Sequence, residues 1–143
     1  MHRSGGSRRA RASAASPVAA VWSSPLGRAR ETATIIAAPH KLAVREAAAF
    51  KEMGFGEWEG LTRDDVATRF PDPLRAWTET PHEAAWPGAE TLAAVRARAL
   101  AGLEAMRQAH PDQTVCLVSH GITCRVLILE ALGLGLDRLL MLA

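Results

Sequence analysis

The chain has 143 residues, of which 48% are hydrophobic and 22% charged, a composition typical of a single globular domain rather than of a disordered or fibrous protein. Its formal net charge of +2 is too small to indicate a polyanionic partner, so nucleic acid is not expected. No run approaches the roughly 18 consecutive apolar residues of a membrane-spanning helix, so no membrane partner is expected either.

The first 16 residues carry several arginines among serine and alanine and contain no acidic residue. This composition fits the remnant of a first helix, a flexible basic tail or an organelle-targeting segment. We therefore divide the chain into the basic segment 1–16 and a single domain over residues 17–143.

The segment from Val18 to Trp22 is predicted to be a short buried strand that leads directly into a helix. Ser24 is expected to cap that helix, and Pro25 to occupy its first position, where no N–H is needed. Arg28 then lies in the first turns, where unpaired backbone N–H groups and the positive helix end favour an anion. The alternative for this segment alone is a surface helix with salt-bridged arginines.

Pro39 cannot continue the first helix, which is expected to end near Ala38. Residues 42–44 could form a second short strand. Residues 50–60 contain three glycines and three acidic residues in no regular pattern, and they are predicted to be a functional loop.

A short helix is predicted over residues 61–70 with Thr62 as its cap, and four prolines favour loops from there to Gly88. A long amphipathic helix is predicted from Ala89 onward. Its apolar stripe would contain Leu92, Val95, Ala99, Leu103 and Met106. Its arginines Arg96, Arg98 and Arg107 would mostly face solvent.

The residues from Thr114 to Val118 are predicted to form a buried strand, and residues 122–132 suit a buried helix. His120 lies between them, at the carboxyl end of the strand, where ligands bind in open parallel α/β sheets. The alternative is a structural histidine. His40, His82 and His110 are expected at the surface, next to prolines.

The two cysteines, Cys116 and Cys124, have no Cys-x-x-Cys spacing and suggest neither a disulfide framework nor a zinc site. A reducing, cytoplasmic environment fits them best. Trp58 is expected to be a packing residue, with Glu57 and Glu59 facing solvent.

Four sequence blocks occur in order: Ser24-Pro25-Leu26-Gly27-Arg28-Ala29, the segment Glu52–Gly60, Pro87-Gly88-Ala89-Glu90-Thr91 with the helix that contains Arg96, and Val118-Ser119-His120-Gly121. Together they resemble the histidine phosphatase superfamily, also called phosphoglycerate mutase-like. The resemblance implies an α/β fold of three layers, with a mostly parallel sheet and helices on both faces.

The resemblance also implies the chemistry, which is hydrolysis of a phosphomonoester through a phosphohistidine, with no metal and no cofactor. By resemblance, Arg28 and His120 would hold the phosphate of a small phosphorylated metabolite, and Glu52 would be the proton donor and later the base. The Gly-Glu-Trp-Glu-Gly segment is similar to the phosphatase branch. A mutase, a non-catalytic phosphate-ligand binder and an incomplete chain without a stable fold remain alternatives.

Members of this family open with an apolar strand that ends in Arg-His-Gly, whose histidine is the nucleophile. That triplet is absent from the 143 residues, where His2-Arg3 has the reverse order. The sequence therefore predicts an N-terminally truncated, incomplete domain that is inactive as it stands. It also predicts exposed strand edges and a homodimer that pairs across the gap.

Overall fold

The computed structural model describes residues 17–142, so the basic segment 1–16 lies outside the described residues. Within this range, three parallel strands form one sheet in the order β2-β1-β3. They are β1 (Val18–Ser23), β2 (Val44–Glu46) and β3 (Thr114–Val118). Because the strands are parallel, the carboxyl ends of β1 and β3 lie at the same edge of the sheet.

The described part of the chain has five α-helices around this sheet, and the predicted architecture of a mostly parallel sheet flanked by helices is confirmed. They are α1 (Gly27–Ala37), α2 (Arg63–Arg69), α3 (Pro71–Glu79), α4 (Leu92–Ala109) and α5 (Gly121–Ala131). Two short 3-10 turns, Ala48–Phe50 and Gly56–Trp58, lie between β2 and α2.

The two faces of β1 are covered by different helices. Val21 is fully buried and packs against Ala33 and Ala37 of α1. Trp22 is the next residue and points to the opposite face, where its Nε1 donates a hydrogen bond to Nε2 of His110, the C-cap of α4. The prediction of a surface position for His110 is therefore wrong, because this histidine is half-buried beneath the tryptophan.

The start of α1 differs from the prediction. Leu26 is the N-cap and the helix begins at Gly27, so Pro25 precedes the helix and Ser24 does not cap it. The reason is that the chain is still paired as a strand at Ser24, whose N–H donates to the carbonyl of Val118 at 2.9 Å. The Oγ of Ser24 accepts the N–H of Leu26 at 3.2 Å instead.

The proline-rich region also differs, because residues 71–79 form helix α3 rather than a loop. Pro71 and Pro73 both lie in its first turn, where a missing N–H removes no intrahelical hydrogen bond. The cap at Thr62 is confirmed, with Asp65 completing a capping box. The second strand occurs two residues later than predicted, at Val44–Glu46.

Aromatic residues fix the irregular segment between β2 and α2. Trp58 is 8% exposed and stacks on Trp86 with ring centroids 3.7 Å apart, which confirms its predicted packing role. The indole N–H of Trp86 donates to the carbonyl of Phe55 at 2.6 Å. The ring stacking and this hydrogen bond hold residues 50–60 against the loop that precedes α4.

None of the described helices is long and apolar enough to cross a bilayer. Within residues 17–142, no group of three or more His, Cys, Asp and Glu side chains is arranged to hold a metal ion.

Candidate active site

A pocket of about 420 Å³ lies at the carboxyl ends of β1 and β3. The three residues singled out by the sequence, Arg28, Glu52 and His120, all line it. Arg28 comes from the first turn of α1, Glu52 from the segment after β2, and His120 from the residue that caps α5. The remaining lining is supplied by Ala29, Thr32, Val118, Ser119 and Gly121.

His120 is 7% exposed, and its Nε2 lies 2.8 Å from the Oγ of Ser24. Burial and, secondarily, the positive charge of Arg28 lower the pKa of His120, while the negative charge of Glu52 opposes them in part. The imidazole is therefore neutral at neutral pH. It gains charge only when the pH falls or when an anion enters the pocket.

Arg28 is exposed to solvent at the positive end of α1. Among the described residues, none forms an ion pair with its guanidinium, whereas Arg30 on the same helix pairs with Glu46 at 3.6 Å. The planar guanidinium of Arg28 is thus available to bind an oxyanion in the pocket.

The carboxylate of Glu52 lies at the N-terminus of α5. Its Oε2 accepts the N–H of Ile122 at 3.2 Å, and its Oε1 accepts the N–H groups of Thr123 at 3.3 Å and Met53 at 2.9 Å. Unpaired amides in the first turn of a helix favour a negative group. The arrangement places a carboxylate in the same pocket as His120 and directs its oxygens toward the helix end.

Sequence reasoning missed the side chains that support these three residues. The sequence predicts that Ser24 caps a helix, yet its Oγ contacts Nε2 of His120. Ser119 donates to the carbonyl of Phe50 at 2.7 Å, and Thr123 donates to that of Lys51 at 2.7 Å. The only available signal was the clustering of small hydroxyl residues around His120, which does not by itself identify their partners.

The expectation that Arg98 faces solvent is also wrong. Its guanidinium binds Glu90 through two hydrogen bonds of 2.8 and 2.9 Å and also reaches the backbone of the Glu52 segment. Arg96, which the motif pattern singled out, is exposed and pairs with Glu130. The two arginines are two positions apart in sequence, and the rotation between these positions places them on different faces of α4.

Residues 6–143 match the family model of the histidine phosphatase superfamily, branch 1. This chain belongs to that superfamily. It is 36% identical over 118 residues to phosphoserine phosphatase 1 of Hydrogenobacter thermophilus, a match that covers 82% of this chain and 56% of the relative. The chain therefore spans about half the length of this curated relative.

Solved structures share this fold. Bacillus stearothermophilus YhfR is 29% identical, with a TM-score of 0.83 over 92% of this chain and 65% of that one. A mycobacterial glucosyl-3-phosphoglycerate phosphatase, determined in complex with VO3, is 28% identical, with a TM-score of 0.75 over 85% of this chain and 62% of that one. The second of these neighbours is named as a phosphatase.

Proposed function

We propose that the pocket of this histidine phosphatase family chain binds the phosphoryl group of a small phosphorylated metabolite and is part of a phosphomonoesterase site. The observation that carries the proposal is the convergence of Arg28, Glu52 and His120 on one pocket. VO3 is bound in the complex of the similar mycobacterial phosphatase, which supports an oxyanion as the ligand. Two free thiols, Cys116 and Cys124, favour a reducing, cytoplasmic setting.

In the proposed reaction, Arg28 and His120 hold the equatorial oxygens of the transferring phosphoryl group, where negative charge collects. Glu52 protonates the leaving oxygen and then takes a proton from the water that attacks the phosphorylated histidine. The nucleophilic histidine of this scheme comes from the Arg-His-Gly segment of the family, a triplet that the 143 residues do not contain.

A second candidate is a non-catalytic phosphate-ligand binder. It is favoured by one observation, that His120 is the only histidine among the described residues that line the pocket. Both candidates require an oxyanion clamp formed by Arg28 and His120. They differ only in whether the bound phosphomonoester is hydrolysed.

The clamp is tested by calorimetric titration of inorganic phosphate. We expect Arg28→Ala and His120→Ala each to weaken binding roughly 10- to 150-fold, the effect of losing about 1.5 to 3 kcal/mol of charge-assisted hydrogen bonding. Arg30→Ala is the matched control, since Arg30 lies on the same helix but pairs with Glu46. Equal affinities in the wild type and both pocket variants would show that phosphate binds elsewhere.

Sulfate binding is expected to tighten as the pH falls from about 8 to about 5. Burial lowers the pKa of His120, so the free pocket is neutral at this position above that pKa and gains a positive charge below it. Sulfate keeps its charge over this range, so the change in affinity reports on groups of the protein. His120→Gln should reduce the pH dependence, whereas His82→Gln, at an exposed position, should retain it in full. If sulfate affinity varied with pH in His120→Gln as it does in the wild type, His120 would not be the group that titrates.

We also propose a homodimer that pairs through the outer edge of β3. Among residues 17–142, no strand pairs with that edge, and Cys116, Leu117 and Val118 remain half-buried. Unpaired edges of apolar strands favour pairing with another chain. Sedimentation analysis over a concentration series should give a reversible dimer, and replacement of Leu117 by lysine should weaken it. A monomer at all concentrations would rule the dimer out.

A further inference from the structure

Arg98 of α4 is a half-buried side chain outside the pocket, with 23% of its surface exposed. Its guanidinium donates five hydrogen bonds at 3.1 Å or less. Two go to the carboxylate of Glu90, and three go to the backbone carbonyls of Ala49, Lys51 and Glu52. A guanidinium carries five N–H donors in one plane, and the five hydrogen bonds of Arg98 equal that number.

Glu90 completes this contact from the loop before α4. Its Oε1 accepts the N–H of Gly54 at 2.8 Å while it also binds Arg98. The hydrogen bonds from Arg98 lower the pKa of Glu90, and the bond from Gly54 acts in the same direction against partial desolvation. A charged pair thus holds both ends of the segment 49–54, with Glu52 between them.

The close approach of α4 to this segment depends on Gly102. A Cβ at that position would lie 2.7 Å from the Cβ of Ala49 and 3.0 Å from the ring of Phe50. On the opposite side, Ser119 and Thr123 bind the carbonyls of Phe50 and Lys51. The backbone of the Glu52 segment is therefore fixed between α4 and the start of α5, and the Glu52 carboxylate is directed at the amides of Ile122 and Thr123.

We propose that Arg98, paired with Glu90, is the positioning residue for Glu52 and sets the placement of its carboxylate at the N-terminus of α5. The inference rests on the proposed function for the role of Glu52, but the contact itself does not require activity. Lysine cannot replace Arg98, because one ammonium with three donors cannot span a carboxylate and three carbonyls at once.

The test is amide NMR on the full chain, since the N–H groups of Ile122 and Thr123 report directly on the carboxylate. Glu52→Gln, which removes the charge, calibrates their chemical-shift change. We expect Arg98→Lys to move the same two signals by at least about half that amount, because loss of the clamp releases the carboxylate from both amides. Arg96→Lys, two residues away in the exposed pair with Glu130, should leave them in place.

A second variant keeps the test decisive if Arg98→Lys does not fold. Glu90→Gln retains an acceptor for Gly54 but removes the charge that Arg98 binds, and it should move the Ile122 and Thr123 signals in the same direction. Unchanged signals in a folded Arg98→Lys or Glu90→Gln protein would overturn the proposal. Phosphate titration of Arg28→Ala tests the proposed function separately, so the two can fail independently.

Discussion

Hydrolysis of p-nitrophenyl phosphate by the 143-residue polypeptide is expected to be no faster than hydrolysis by its Arg28→Ala variant. The proposed reaction needs a histidine nucleophile, and the proposal assigns His120, whose Nε2 contacts the Oγ of Ser24, to phosphate binding instead. Loss of a covalent nucleophile from a cooperative site lowers the rate by about 10⁴ to 10⁶. The measurement is steady-state release of p-nitrophenol, with Arg28→Ala as the background.

Two results would contradict this expectation in different ways. Turnover in the usual enzyme range that is lost in His2→Ala would assign the nucleophile to the N-terminal segment. Turnover that is lost in His120→Ala but kept in His2→Ala would make His120 the nucleophile.

Adding the missing nucleophile is expected to produce phosphatase activity. A polypeptide with an apolar strand ending in Arg-His-Gly placed before Ser4 is expected to hydrolyse the substrate and to melt at a higher temperature. The added strand would pair with the outer edge of β3, next to the pocket, and so satisfy its backbone groups. A matching strand that ends in Arg-Ala-Gly separates the two effects, because it should raise the melting temperature without restoring turnover.

Gly56→Ala is expected to destabilise the fold by about 2 to 5 kcal/mol, a large part of the roughly 5 to 15 kcal/mol that holds a domain together. Gly56 has a φ of 54°, and a Cβ there would overlap backbone atoms of Pro87, Gly88 and Ala89. The loops of Phe55 and Gly88 cross at this point, where the N–H of Glu57 donates to the carbonyl of Pro87 at 3.1 Å. Backbone atoms cannot move aside as a flexible side chain can.

Urea unfolding measures this effect, and Gly60→Ala is its matched control. Gly60 also has a positive φ, of 79°, but its Cβ would meet nothing within 4 Å. The control should therefore lose only about 1 to 2 kcal/mol from the left-handed backbone conformation. Equal losses in the two variants would show that the loop crossing is not tightly packed.

The amino-acid sequence by itself determined the parts of the site that depend on local patterns. An apolar run followed by a helix places His120 at a strand end, and the same pattern places Arg28 at the start of α1. The structure shows β1 and β3 to be parallel neighbours, so these two ends meet at one edge of the sheet. Glu52 came only from the family resemblance, because nothing in the local spacing distinguishes it from Glu57 or Glu59.

Only the tertiary structure decided which side chains hold those residues in place. Ser24 meets His120 across 96 residues of sequence, and Arg98 reaches the carbonyl of Glu52 across 46. Local sequence patterns predict other roles for Ser24 and Arg98. A serine before a proline is typical of a helix cap, and an arginine beside an apolar stripe typically faces solvent. Long-range packing changed these assignments, since the contacts depend on how α4 and the strand ends are brought together.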